Sequence, residues 1–105
     1  MNTITTTAVS TAYPDIADHI SELEQLADNP QTVDNERYAR KTRAFAKACA
    51  EAIDDDETTM TAHQIRTLFV GLHRRLDWDA PVWRNASLIA STLGAAEVLC
   101  GGDSK

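Results

Sequence analysis

The chain has 105 residues, of which 43% are hydrophobic and 25% charged, and a formal net charge of −6. That length supports one domain with one core rather than two, and the composition is that of a globular protein rather than a disordered chain. The negative balance argues against a tight, non-specific nucleic-acid coat, which needs Lys and Arg to displace counterions, while leaving room for a local basic reader.

Charge is segregated along the chain. Residues 1–36 carry seven acids, Asp15, Asp18, Glu22, Glu24, Asp28, Asp34 and Glu36, without one Lys or Arg, and the remainder holds all ten basic groups against nine acids. An anionic face beside a mixed or cationic one is the expected result. The start, MNTITTTAVSTAY, has neither a positive n-region nor a signal-length apolar run, and no later segment reaches the roughly 20 apolar residues of a membrane span. The cytoplasm is therefore the expected compartment and a membrane is not an expected partner. Cys49 and Cys100 are far apart and form no CxxC or ligand-like spacing, which reads as two buried thiols rather than a disulfide framework.

Residues 1–12 are rich in Thr and Ser and lack the spaced apolar side chains of an amphipathic helix. They are expected to form a flexible arm, with enough β-branched content for a strand added to a partner's sheet edge as the alternative. Tyr13-Pro14-Asp15 signals a helix start. Ile16, Ile20, Leu23 and Ala27 then recur at helical spacing until Asn29-Pro30 stops the pattern.

A second helix is expected from about 34 to 53, with Tyr38, Thr42, Phe45, Cys49 and Ala52 on one face and Glu36, Arg40, Arg43, Lys47 and Glu51 on the other. Glu36 with Arg40 and Lys47 with Glu51 stand four apart, so ion pairs worth about 0.2 to 0.5 kcal/mol each would neutralise part of the positive stripe. The acidic run Asp54 to Glu57 opposes continuation at the C-terminal end of the helix dipole and reads as an exposed connection. It lacks the alternating ligands, central Gly and terminal bidentate carboxylate of a calcium loop.

Thr61 and Gln64 fit a capping box, and Met60 with Ile65 fits its hydrophobic staple, so a third helix is expected to start at Thr61. Ile65, Leu68, Phe69, Leu72 and Leu76 form its apolar stripe; His63, Arg66, Val70 and Arg74 face away, with His73 and Arg75 on the flanks. Asp77 to Pro81 is a turn, capped by Asp79 or Ala80, with Pro81 in the next first turn. A fourth helix then runs to about Leu99, with one apolar stripe through Val82, Ala86, Ile89, Leu93 and Ala96 and a second side formed by Leu88, Ala95 and Leu99. Between Asn85 and Gly102 its single charged residue is Glu97. Such a helix is either the central core element or offers its second side to a partner.

The sequence contains no Gly-rich phosphate loop, HExxH, GxSxG or metal-spaced Cys/His cluster. His19, His63 and His73 are dispersed, and Asn85-Ala86-Ser87, a formal glycosylation acceptor, falls inside a helix of a chain without a secretory signal. The expected fold is all-α: a compact four-helix single domain over 13–102, with flexible ends at 1–12 and 103–105. The expected function is that of a small non-enzymatic protein-binding regulator or inhibitor, without cofactor or metal, that masks a partner protein. A second copy of the chain is a further candidate partner. Its contact residues would be Arg40, Arg43 and Lys47 on the positive stripe, Trp78, Trp83 and Arg84 around the turn, and Leu88 with Leu99 on the last helix. The competing reading is a helix-turn-helix nucleic-acid binder using Arg66, Arg74, Arg75 and Arg84; a small enzyme with dispersed His, Asp and Cys is a third.

Overall fold

Proline and its neighbours mark the first boundaries. The computed structural model describes residues 7–29, 34–54 and 60–100, and these form helices α1 (Thr7–Ala12), α2 (Ala17–Asp28), α3 (Asn35–Asp54), α4 (Met60–Arg75) and α5 (Val82–Leu99). Pro14 opens a 3-10 turn, Pro14–Ile16, that leads directly into α2. At the other end of α2, the Asn29 amide bonds the Gln25 carbonyl at 3.0 Å. The next donor would be residue 30, but proline has none. The carbonyl of Leu26 instead accepts the Tyr38 hydroxyl at 2.6 Å in the interior, which ties the end of α2 to α3.

Asp34 starts α3 as an N-cap: its Oδ1 accepts the Arg37 amide at 2.9 Å and its carbonyl accepts the Tyr38 amide at 2.9 Å. The buried face of α3 runs through Tyr38, Thr42, Ala46, Cys49 and Ile53, with Phe45 and Ala52 only half-buried at its edge. In α4 the buried line is Ala62, Ile65, Phe69, Leu72 and Leu76, and Leu68 flanks it. Met60 and Thr61 already belong to α4, so the helix starts before the expected cap; the side chains of both lie outside the described residues, and of the acidic run Asp54 to Glu57, Asp54 ends α3 while the rest lies outside them. Pro81 occupies the position before α5, with φ −60° and ψ 148°. Its carbonyl accepts the Arg84 amide at 2.9 Å, so neither Asp79 nor Ala80 serves as the cap.

The four long helices close a ring. Neighbours are α2 with α3, α3 with α4, α4 with α5, and α5 with α2, and α5 also touches α3 and α1. The all-α single domain expected from periodicity is therefore present, with a radius of gyration of 12.9 Å, close to the roughly 13 Å of a single 100-residue domain. Burial of each large core side chain such as Phe69 or Ile65 contributes about 1.5 to 3 kcal/mol. Among the described residues, no helix is long and apolar enough to cross a membrane.

The N-terminal segment departs from expectation. Residues 7–12 are helical rather than a loose arm, because Val9 is fully buried and the Glu97 carboxylate on α5 accepts the amides of Ala8 at 3.0 Å and Val9 at 3.4 Å. Those bonds satisfy first-turn donors that an isolated six-residue helix would leave to water. Residues 1–6 and 103–105 of the expected flexible ends lie outside the described residues. The second apolar side of α5 also differs from its simple reading: Leu88 and Leu99 are half-buried and pack on the core.

Candidate protein-binding surface

Residues 40, 43 and 47 follow one another at helical spacing on the outer side of α3. Arg40 and Lys47 are exposed. Arg40 meets Glu36 at 2.9 Å, but both side chains are about two-thirds exposed, at 67% and 66%, so this pair contributes little stability. Lys47 makes no ion pair among the described residues; the expected partner Glu51 does not neutralise it. Arg43 turns towards α4 and its Nη2 donates to the Leu76 carbonyl at 2.8 Å, one of the acceptors that the end of α4 leaves open.

Both arginines converge on one aromatic ring. The guanidinium carbon of Arg43 lies 4.8 Å and that of Arg40 5.2 Å from the ring centre of Trp78, within cation–π range, where each contact contributes about 0.5 to 1 kcal/mol at an exposed site. Trp78 thus joins the α3 stripe. Trp83 is 69% exposed on α5, and the cations recorded over Trp78 are those of α3, Arg40 and Arg43.

The position of Trp78 is set by a buried amide. Asn85 in the first turn of α5 has no exposed surface. Its Nδ2 donates to Oδ1 of Asn35 and to the carbonyl of Asp77, both at 3.0 Å, and its Oδ1 accepts the Asp77 amide at 3.4 Å. Asn35 in turn donates to the Trp78 carbonyl. A backbone acceptor on one side and a backbone donor on the other fix the orientation of the Asn85 amide. The same burial removes the formal glycosylation acceptor from the surface.

Further along, α3 and α4 border a shallow groove lined by Lys47, Ala50, Glu51, Arg66, Val70 and His73. Its floor is apolar, and Lys47 and Arg66 supply two cations on its rim beside the Glu51 carboxylate and the His73 imidazole. Burial, followed by the fields of Arg43, Lys47 and Arg74, lowers the His73 imidazole below its ordinary value of 6.5. Arg74 is exposed beside it. From Trp78 to the groove, α3 and α4 therefore carry one continuous cationic strip, whereas α2 presents exposed Asp18 and Glu22.

Two groups with reactive potential lie elsewhere. Cys49 is a buried thiol pushed up to about 12 by burial, and Cys100 is raised by burial and then by Glu97; neither is poised as a thiolate. Among the described residues no three His, Cys, Asp or Glu side chains are grouped to hold a metal ion. The stripe at 40, 43 and 47 was legible as helical spacing. Asn35, Asn85 and the adjacency of His73 to α3 were not, because their partners are distant in sequence. No family model matches the chain, and no curated protein and no solved structure matches it either.

Proposed function

We propose that this chain is a small non-enzymatic protein-binding regulator that acts by covering an acidic surface of a partner protein. The observation that carries this reading is the cationic strip on α3 and α4, where Arg40 and Arg43 bracket Trp78 and Lys47, Arg66 and His73 rim an apolar groove. Aromatic and Arg side chains supply much of the energy at protein interfaces, and a charged rim governs encounter and orientation. Glu36 and Glu51 bracket the strip. They oppose a continuous phosphate track but suit a partner with alternating charges.

The helix-turn-helix alternative draws less support, since six residues, 76–81, separate α4 from α5 and the exposed positions of α5 offer Arg84 as their single cation. The two free thiols fit action in the reducing cytoplasm.

The decisive experiment compares capture by the wild type and by an Arg40→Glu, Lys47→Glu, Arg74→Glu variant. All three positions are exposed, so circular dichroism should not change. A protein retained by the wild type and lost by the variant, with association slowed by added salt, supports the reading. Retention of nucleic acid in place of protein, or equal capture by both forms, overturns it.

A further inference from the structure

We infer that the pocket between the Tyr13-Pro14 corner and the last turn of α3 takes a lysine side chain of a partner protein. The corner that joins α1 to α2 does not close onto α3: the segment from Ala12 to Ile16 faces Ala52 and Ile53 across a cavity of about 160 Å3. An engineered cavity of about 150 Å3 holds benzene, so a four-carbon stem fits here. Ile16 and Ile53, only 1% and 3% exposed, form the inner end, while Pro14 and Asp15 are exposed at the mouth. A group entering from solvent therefore meets apolar surface first and keeps its tip beside Asp15.

Charge decides what that tip must be. Among the described residues Asp15 makes no ion pair, and no Lys or Arg lines the cavity. Ala52 and Ile53 belong to the last turn of α3, whose carbonyl dipoles carry about half a negative charge, and that turn holds no basic residue to offset it. The N-terminal end of α2 opposes with about half a positive charge, so the Asp15 carboxylate tips the balance and the mouth is anionic. The Tyr13 phenol, raised above its ordinary value of 10.0 by burial and then by Cys100, stays neutral and offers a ring face that favours a cation. Lysine matches both parts, with an apolar stem and a charged head that remains in water. Arginine matches less well, because Asp15 is the one carboxylate among the lining side chains and the five donors of a guanidinium need more acceptors. The pocket shares no lining residue with the α3–α4 groove, and neither reading depends on the other.

Nuclear magnetic resonance titration of the isotope-labelled protein with acetyl-lysine methylamide tests the pocket directly, with a dissociation constant on the order of 10 mM expected for one side chain. The amides of Tyr13, Asp15, Ile16, Ala52 and Ile53 should shift, and added sodium chloride should weaken the binding. Acetyl-norleucine methylamide, which keeps the stem and lacks the ammonium, should bind about threefold more weakly or worse, the size of one partly exposed charge pair. D15N, a change at an exposed position, should bring the lysine probe down to the norleucine level with unaltered circular dichroism. A52L, which fills the cavity, should abolish both. A lysine probe that leaves these amides unmoved, a norleucine probe that binds as well, or a D15N variant that binds like the wild type overturns the inference.

Discussion

Nδ2 of Asn85 donates to Oδ1 of Asn35 at 3.0 Å across fifty positions of sequence. Asn35 passes the connection on to the Trp78 carbonyl, so one amide on α5 and one on α3 hold the turn whose indole the two arginines cover.

Asn85→Ala should therefore cost about 2 to 3 kcal/mol, since it removes both donors of a buried amide and leaves the Asp77 carbonyl and Asn35 without their partner. Chemical denaturation measures the loss, and a change within about 0.5 kcal/mol, typical of an inconsequential surface site, would show that the amide network does not hold the turn. Asn85→Leu should not rescue it, because volume is not what the site lacks.

Tyr38→Phe should cost about 1 to 2 kcal/mol. The hydroxyl is not decorative here: it supplies the hydrogen bond that Pro30 cannot give to Leu26, and its 2.6 Å contact is buried. Burial, and then Asp28, raises this phenol above its ordinary value of 10.0, so it remains a protonated donor throughout the neutral range. Amide exchange at the end of α2 should accelerate in the variant.

Thr42 is fully buried on α3, and its hydroxyl has no hydrogen-bond partner among the described residues. Replacing it with the near-isosteric Val removes a desolvated polar group without leaving a cavity. Thr42→Val is expected to leave stability unchanged or raise it by up to about 1 kcal/mol. A loss larger than that in a denaturant titration would contradict the unpartnered hydroxyl.

His73 links stability to pH. Its folded value lies below its ordinary value of 6.5, through burial and then through Arg43, Lys47 and Arg74. The unfolded chain therefore binds more protons than the folded one in this window, and stability falls as pH drops from 6.5 through the lower folded value. Glu51 lies in the same groove and Arg66 on its rim. Comparing urea midpoints of wild type and His73→Gln between about pH 7.5 and pH 5 isolates this contribution: the variant should show the flatter profile. An anionic partner seated on the groove would work in the opposite sense, favouring the imidazolium, so its affinity should rise over the same fall in pH.

The long helices were legible because their signals are local. Asp34 caps α3, Asn29 and Pro30 stop α2, and the apolar spacing of α4 and α5 names most of the buried side chains. α1 was not legible: Thr7 to Ala12 offers one large apolar residue, and its helicity depends on a pocket for Val9 and on Glu97, far away in the chain. Leu88 and Leu99 illustrate a different limit. Periodicity distinguishes sides of a helix but not how many neighbours surround it, and α5, touched by all four other helices, shelters part of what looked like a free side. For the surface, spacing placed Arg40, Arg43 and Lys47 together, but only the folded chain brings Trp78 beneath two of them.

The carboxylate of Glu97 also sets an order of events during synthesis. It holds the amide of Ala8 across 89 positions of sequence, so α1 gains this acceptor only after α5 has been made. Until then the amides of Ala8 and Val9 are left to water. A nascent chain interrupted before residue 97 would thus hold α1 less firmly, and a protease that cuts near Val9 would distinguish chains with α5 from chains without it.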